Sequence, residues 1–259
     1  MDDAATLAVD GTVATLTLNR PDTLNAFSHS MAICMERHLK GLADMPGLRA
    51  VVLTGSGRAF CAGGDLIEFE EALSNDKRRL LDLLRYNQDV LQMVEDLPVP
   101  VIAAVNGFAV AGGLELLLCC DILVAAEGVK IGDGHTRYGV VPAGGATVRL
   151  MEKLSPAHAA QLFYTAELLD ARTLADWGLV NEVAPRERLL ERAMEIAREI
   201  AARSPEAIRH TKMLTGRIAR PPERQERIRA EIDRFALHVD GRDLANGLAA
   251  FKAKRPVEY

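Results

Sequence analysis

Two glycine-rich turns and one carboxylate set among leucines give this chain its clearest capacity for chemistry. In 101–120, VIAAVNGFAVAGGLELLLCC, an apolar run leads to Ala111-Gly112-Gly113, and Glu115 follows between Leu114 and Leu116. Glycines at a helix start let the backbone approach a ligand and leave N–H groups free to hold an anion. A glutamate among apolar side chains is either paired or harder to ionise, which suits proton transfer. A second turn, AFCAGGD at 59–65, follows another apolar run and carries Gly64. Together they predict a site that stabilises an oxyanion and moves a proton. Each feature alone has a plainer reading: glycines that serve tight turns, and an acid satisfied by amides at a helix start.

The elements that position these turns alternate between strand and helix patterns. Residues 6–9 and 13–18 read as strands around Asp10-Gly11, a hairpin signal. Ser28 or Ser30 is placed to cap a helix reaching about Ala43, and 50–54 is a short buried strand. A helical pattern runs over 77–97 until Pro98 and Pro100 stop it. Strands recur at 101–105, 122–125 and 180–183 with helices between them, which argues for an α/β fold. From about Pro185 the pattern turns helical: 186–203, 205–214, 223–238 and 242–254. The expected division is an α/β core over 1–184 and a C-terminal helical subdomain over 185–259.

The 259 residues are 49% hydrophobic and 26% charged, ordinary for a globular protein. Thirty-one basic and 36 acidic residues give a net charge of −5, which offers no broad case for nucleic-acid binding. No apolar run is long enough to span a bilayer, and the opening MDDAATLAVDG does not read as a signal peptide. Cys34, Cys61, Cys119 and Cys120 lack metal-ligand spacing; free buried thiols in a reducing cytoplasm are the expectation. His29, His38, His158, His210 and His238 show no metal spacing either, and neither a P-loop nor a dinucleotide fingerprint is present. Trp177 reads as a core residue rather than a ligand contact.

The motifs resemble those of the crotonase (enoyl-CoA hydratase/isomerase) superfamily. They are Leu24-Asn25-Ala26, FCAGGD at 60–65, PVIAAVNG at 100–107, AGGLEL at 111–116 and Cys120-Asp121, then PAGGAT at 142–147, ADWGLV at 175–180 and the terminal Phe251-Lys-Ala-Lys254-Arg255. The resemblance covers essentially the whole chain. It implies a spiral of ββα units followed by C-terminal helices that build a homotrimer or a dimer of trimers. It also implies an acyl-CoA substrate, no metal and no cofactor beyond the CoA of that substrate. Matched by residue, the N–H groups of Gly64 and Gly112 would hold the thioester oxygen as it gains charge, and Glu115 would help activate water for addition at the β-carbon. Asn25, Ala26, Ala62, Asp65 and Leu66 match segments that line the CoA groove; Phe251 and Lys254 fall in the terminal helix that often reaches a neighbour's CoA. The segment 67–85 shapes the acyl pocket in relatives.

The chain departs from the family at the second acid. An ungapped match from Asn106 to Leu150 puts His135 where hydratases carry the glutamate that protonates the α-carbon. Imidazole can serve as a general acid or base, with Asp133 to orient it. The resemblance makes hydration of a 2-enoyl-CoA the default reaction. The histidine keeps isomerase, decarboxylase and thioester hydrolase chemistry open, along with a silent acyl-CoA-binding role.

Overall fold

The computed structural model describes residues 3–219, 222–240 and 242–256. Ten strands are present in the described chain: β1 (Ala5–Asp10), β2 (Val13–Leu18), β3 (Ala50–Gly55), β4 (Ala59–Cys61), β5 (Val101–Val105), β6 (Phe108–Val110), β7 (Ile122–Ala126), β8 (Lys130–Gly132), β9 (Leu169–Asp170) and β10 (Glu182–Ala184). The helices are α1 (His29–Ala43), α2 (Leu66–Asn75), α3 (Lys77–Glu95), α4 (Gly112–Leu118), α5 (Ala146–Lys153), α6 (Pro156–Thr165), α7 (Ala171–Asp176), α8 (Leu189–Ala201), α9 (Pro205–Ala219), α10 (Pro222–His238) and α11 (Arg242–Lys252).

The strands form two sheets. The larger has the order β1-β2-β3-β5-β7-β10 and the smaller β4-β6-β8-β9. The predicted hairpin is β1 with β2, antiparallel, in the register Asp10↔Val13, and Gly11 takes the left-handed conformation the turn needs. Beyond β2 the large sheet is parallel, and β3 and β5 are buried on both faces, as their unbroken apolar runs require. Each long strand feeds a short strand of the second sheet and then a helix: β3–β4–α2 and β5–β6–α4. This ββα spiral delivers the two glycine turns side by side, because β4 and β6 pair in parallel. Ser28, rather than Ser30, caps α1 by accepting the Met31 N–H at 3.2 Å.

Two features of the helical region refine the expectations. Helix α8 packs on β2, β3, β5 and β7 with Ala193 and Ala197 fully buried, so the helical region begins against the core sheet. Leu244 and Leu248 of α11 are buried within this chain, in a cluster with Leu84, Val140 and Phe235, so the apolar side of α11 is covered by the chain itself. Phe251 remains 40% exposed, its ring edge-on to Tyr138 at 5.6 Å. The four cysteines are free and buried. Trp177 packs against the core and stacks on His158 at 3.9 Å. No described helix is long and apolar enough to cross a membrane.

Candidate active site

The glycine turns, Glu115 and His135 open onto one cavity of about 540 Å³. Ala26, Ala62, Gly64, Asp65, Leu66, Gly112 and Phe251 line it as well. Asn25 and Lys254 do not. Asn25 is fully buried: its side chain accepts the Arg20 N–H and donates to the carbonyls of Ser56 and Ala59, so it ties loops together behind the cavity wall. Lys254 lies beyond the end of α11, exposed, where the chain has left the helix expected to carry it. Asp65 faces the cavity while capping α2 and pairing with Arg20 at 3.3 Å.

The two turns meet closely. A methyl group added at Gly112 would stand 3.2 Å from the Gly64 nitrogen, so the amides are neighbours. Gly112 opens α4, and the first N–H groups of a helix have no partner within it. Gly63 holds φ at +104° to make its turn, and Ala111 adopts φ +51°, a left-handed value that costs a non-glycine residue. Side chains would crowd the turns: a Cβ at Gly113 would overlap the Cys61 carbonyl, and one at Gly64 would press the Phe69 ring.

Glu115 sits on the buried face of α4. Its Oε1 accepts the Gly144 N–H at 2.7 Å and that of Ala146 at 3.4 Å, whereas Oε2 has no hydrogen-bond partner among the described residues. The same turn is gripped from the other side by Glu231 of α10, which accepts from the Gly145 and Thr147 amides and the Thr147 hydroxyl. Burial and the nearby Glu115 charge push the Glu231 carboxyl above the usual carboxylate range, against the hydrogen bonds that favour its ionised form. Beneath lies a buried ionic cluster. Arg149 donates to the Gly144 carbonyl at 2.6 Å and to Glu95 at 3.0 Å, and Arg224 joins Glu95 to Glu152. These bonds fix the backbone that presents its amides to Glu115.

His135 begins a short helical turn, His135–Tyr138, after Gly134 in a left-handed conformation. Its Nδ1 lies 2.8 Å from Oδ2 of the fully buried Asp133, whose Oδ1 accepts the His135 backbone N–H. Nε2 has no partner among the described residues. Burial opposes charge on the ring, but the charge and hydrogen bond of Asp133, then the charges of Glu115 and Glu231, outweigh it and raise the pKa to about 9. The sequence places this group near its ordinary 6.5; the buried dyad makes it a cation at neutral pH. The paired, charged ring therefore adds stability in full below about 6.5, and loses it as pH rises through about 9. The stability difference between the parent and His135→Gln, measured by urea unfolding, should shrink across that window. A pH-independent difference would contradict the pairing.

Glu231 escaped the sequence reading, although a signal exists. In α10, Ile228, Ile232 and Phe235 recur at helical spacing, and Glu231 falls on that same face. An acid on an apolar stripe is where a buried acid should be sought. Among the described residues no group of three or more His, Cys, Asp or Glu could hold a metal.

Comparison with known proteins agrees with this fold. A family model for enoyl-CoA hydratase/isomerase matches residues 8–259. The chain is 34% identical over 248 residues to a crotonyl-CoA hydratase of Syntrophomonas wolfei, covering 95% of this chain and 94% of that protein. It is 37% identical to a putative enoyl-CoA hydratase of Thermus thermophilus, covering 96% and 98%. Among solved structures, an enoyl-CoA hydratase of Bacillus anthracis superposes with a TM-score of 0.79 at 33% identity, covering 99% of this chain and 98% of that one. The chain belongs to the enoyl-CoA hydratase/isomerase family, within the crotonase superfamily.

Proposed function

We propose that this acyl-CoA thioester enzyme adds water across the double bond of a 2-enoyl-CoA. The observation that carries the reading is the convergence of two adjacent amides, a carboxylate and an imidazole on one cavity. The Gly64 and Gly112 N–H groups hold the thioester oxygen. Donors aimed at developing charge count most in the transition state, and losing one costs about 3 kcal/mol. Glu115 takes a proton from water through its free Oε2 as the water oxygen bonds to the β-carbon. The electron pair of the double bond moves into the thioester, giving an enolate held by the two amides. Nε2 of the His135 imidazolium then delivers its proton to the α-carbon. The product has gained H and OH; Glu115 is left protonated and His135 neutral, and proton exchange with solvent restores both. Asp133 holds the ring by Nδ1, so Nε2 is the nitrogen left for substrate. Turnover of crotonyl-CoA, followed by loss of the enoyl-thioester absorbance, tests the reaction.

The CoA moiety is assigned to the groove bordered by Ala26, Ala62, Asp65 and Leu66, with Phe251 at its edge. Asn25 serves it only by bracing the loop, and Lys254 is left as a solvated basic residue. Four free buried thiols favour a reducing, cytoplasmic setting.

Residues 185–259 are assigned as the oligomerising region, on the resemblance and on exposed apolar side chains such as Leu190, Met213, Leu214 and Leu237. Light scattering should give a homotrimer or a dimer of trimers. A stable monomer at micromolar concentration would refute this assignment.

A further inference from the structure

Along the wall of the cavity, α3 presents Leu84, Asn87 and Leu91. Asn87 occupies a helical position that apolar residues otherwise fill: Leu80, Leu81, Leu84, Leu91 and Val94 are all buried. Asn87 is only 8% exposed; its Oδ1 is sealed in without a hydrogen-bond partner among the described residues, and its Nδ2 is the end of the amide that is not sealed. The neighbouring Gln88 differs: its amide donates to the carbonyls of Ala143 and Ile228 and braces the fold. A buried amide left without a partner costs stability, so Asn87 is a poor structural choice for this face. A pocket of this kind is apolar apart from a few placed polar groups, and those groups set specificity.

We propose that Asn87 is a specificity-determining residue that reads a neutral oxygen function, a hydroxyl or carbonyl, carried on the acyl chain of the substrate. The proposal rests on the acyl-CoA reading of this cavity. Leu91 stands against Gly144, whose N–H binds Glu115. Asn87 is four residues earlier, about 6 Å along the helix, so the group it reads is set apart from the reacting carbons by about that distance. Its Oδ1 is sealed out of a ligand's reach, and the Nδ2 donors remain, from which a hydroxyl or carbonyl oxygen can accept. A carboxylate would shed its solvation to meet a group without charge, which disfavours an acidic chain. A site built to bond such a group rejects a chain that lacks it, because the amide is then sealed in without a partner.

The test is calorimetric and needs no turnover. The unreactive ω-hydroxyhexanoyl-CoA and a keto analogue are compared with heptanoyl-CoA, which carries a methyl group in place of the hydroxyl. The parent should bind at least one oxygenated ester roughly tenfold or more tightly than the alkyl ester. Asn87→Leu, close in volume, should erase that preference and leave the melting temperature unchanged or raised. Equal affinities in the parent, or a preference that survives Asn87→Leu, would overturn the assignment while leaving the acyl-CoA reading intact. Failure of all three esters to bind would overturn both. If Asn87→Leu does not fold, Asn87→Ser gives the independent check: a preference undiminished by the shorter side chain would refute the proposal.

Discussion

Glu115→Gln should lower the rate of hydration by roughly 10²–10⁴-fold while leaving the affinity for a CoA ester nearly unchanged. The substitution is mild in shape. The side-chain oxygen of glutamine can still accept from Gly144 and Ala146, so the turn over the site keeps its anchor. What is lost is the second oxygen, the one without a partner, and with it the ability to take a proton from water. Affinity should survive because the groove around Ala26, Ala62 and Leu66 does not involve this carboxylate. Steady-state kinetics with crotonyl-CoA and calorimetry with acetoacetyl-CoA separate the two effects. A variant with the parent's rate on its best substrate would remove Glu115 from the mechanism.

The second large effect is expected at His135. His135→Ala should cost roughly 10²–10⁴-fold in rate and abolish the alkaline limb of the pH profile. With the ring pKa raised to about 9, the acid form dominates at neutral pH, and the rate should fall only as pH passes through about 9. Restoring the acid found in hydratases is not a simple swap. In His135→Glu the new carboxylate would face Asp133, which is fully buried and would lose its cationic partner. Two carboxylates that close cannot both ionise without cost. The single variant should therefore remain slow, and Asp133→Asn combined with His135→Glu should recover hydration above it. Equal rates for the single and double variants would show that the Asp133 charge does not govern this position.

The fold was legible where its physics is local and repetitive. The hairpin, α1, the helix 77–95 and the strand 101–105 show clear periodicity or apolar runs, and their boundaries agree within a residue or two. The second sheet was not legible. Its strands β4, β6, β8 and β9 have two or three residues each, too short for an alternating pattern to emerge. Strand β10 lies two residues later than its apolar signal, because Val180 packs in the turn after α7 instead of pairing. At the site, the glycine turns and Glu115 were visible because their residue types are unusual for their surroundings. The partnership of His135 with Asp133 was only half visible, since residues two apart meet only when the backbone turns sharply, as it does at Gly134. Glu231 and Asn87 approach from distant helices, and their sole trace is a polar residue on an apolar face.

The central claim is that a 2-enoyl thioester gains a proton at its α-carbon from His135 while Glu115 activates water. The most direct measurement is the pH dependence of crotonyl-CoA hydration by the parent enzyme, from pH 5 to 10, set beside that of His135→Ala. The account predicts a hydration rate in the parent that stays level through neutrality and falls through about pH 9, and a slow His135→Ala variant without that fall. Hydration in the parent that is absent at every pH, or a profile and rate that survive unchanged in His135→Ala, would contradict it.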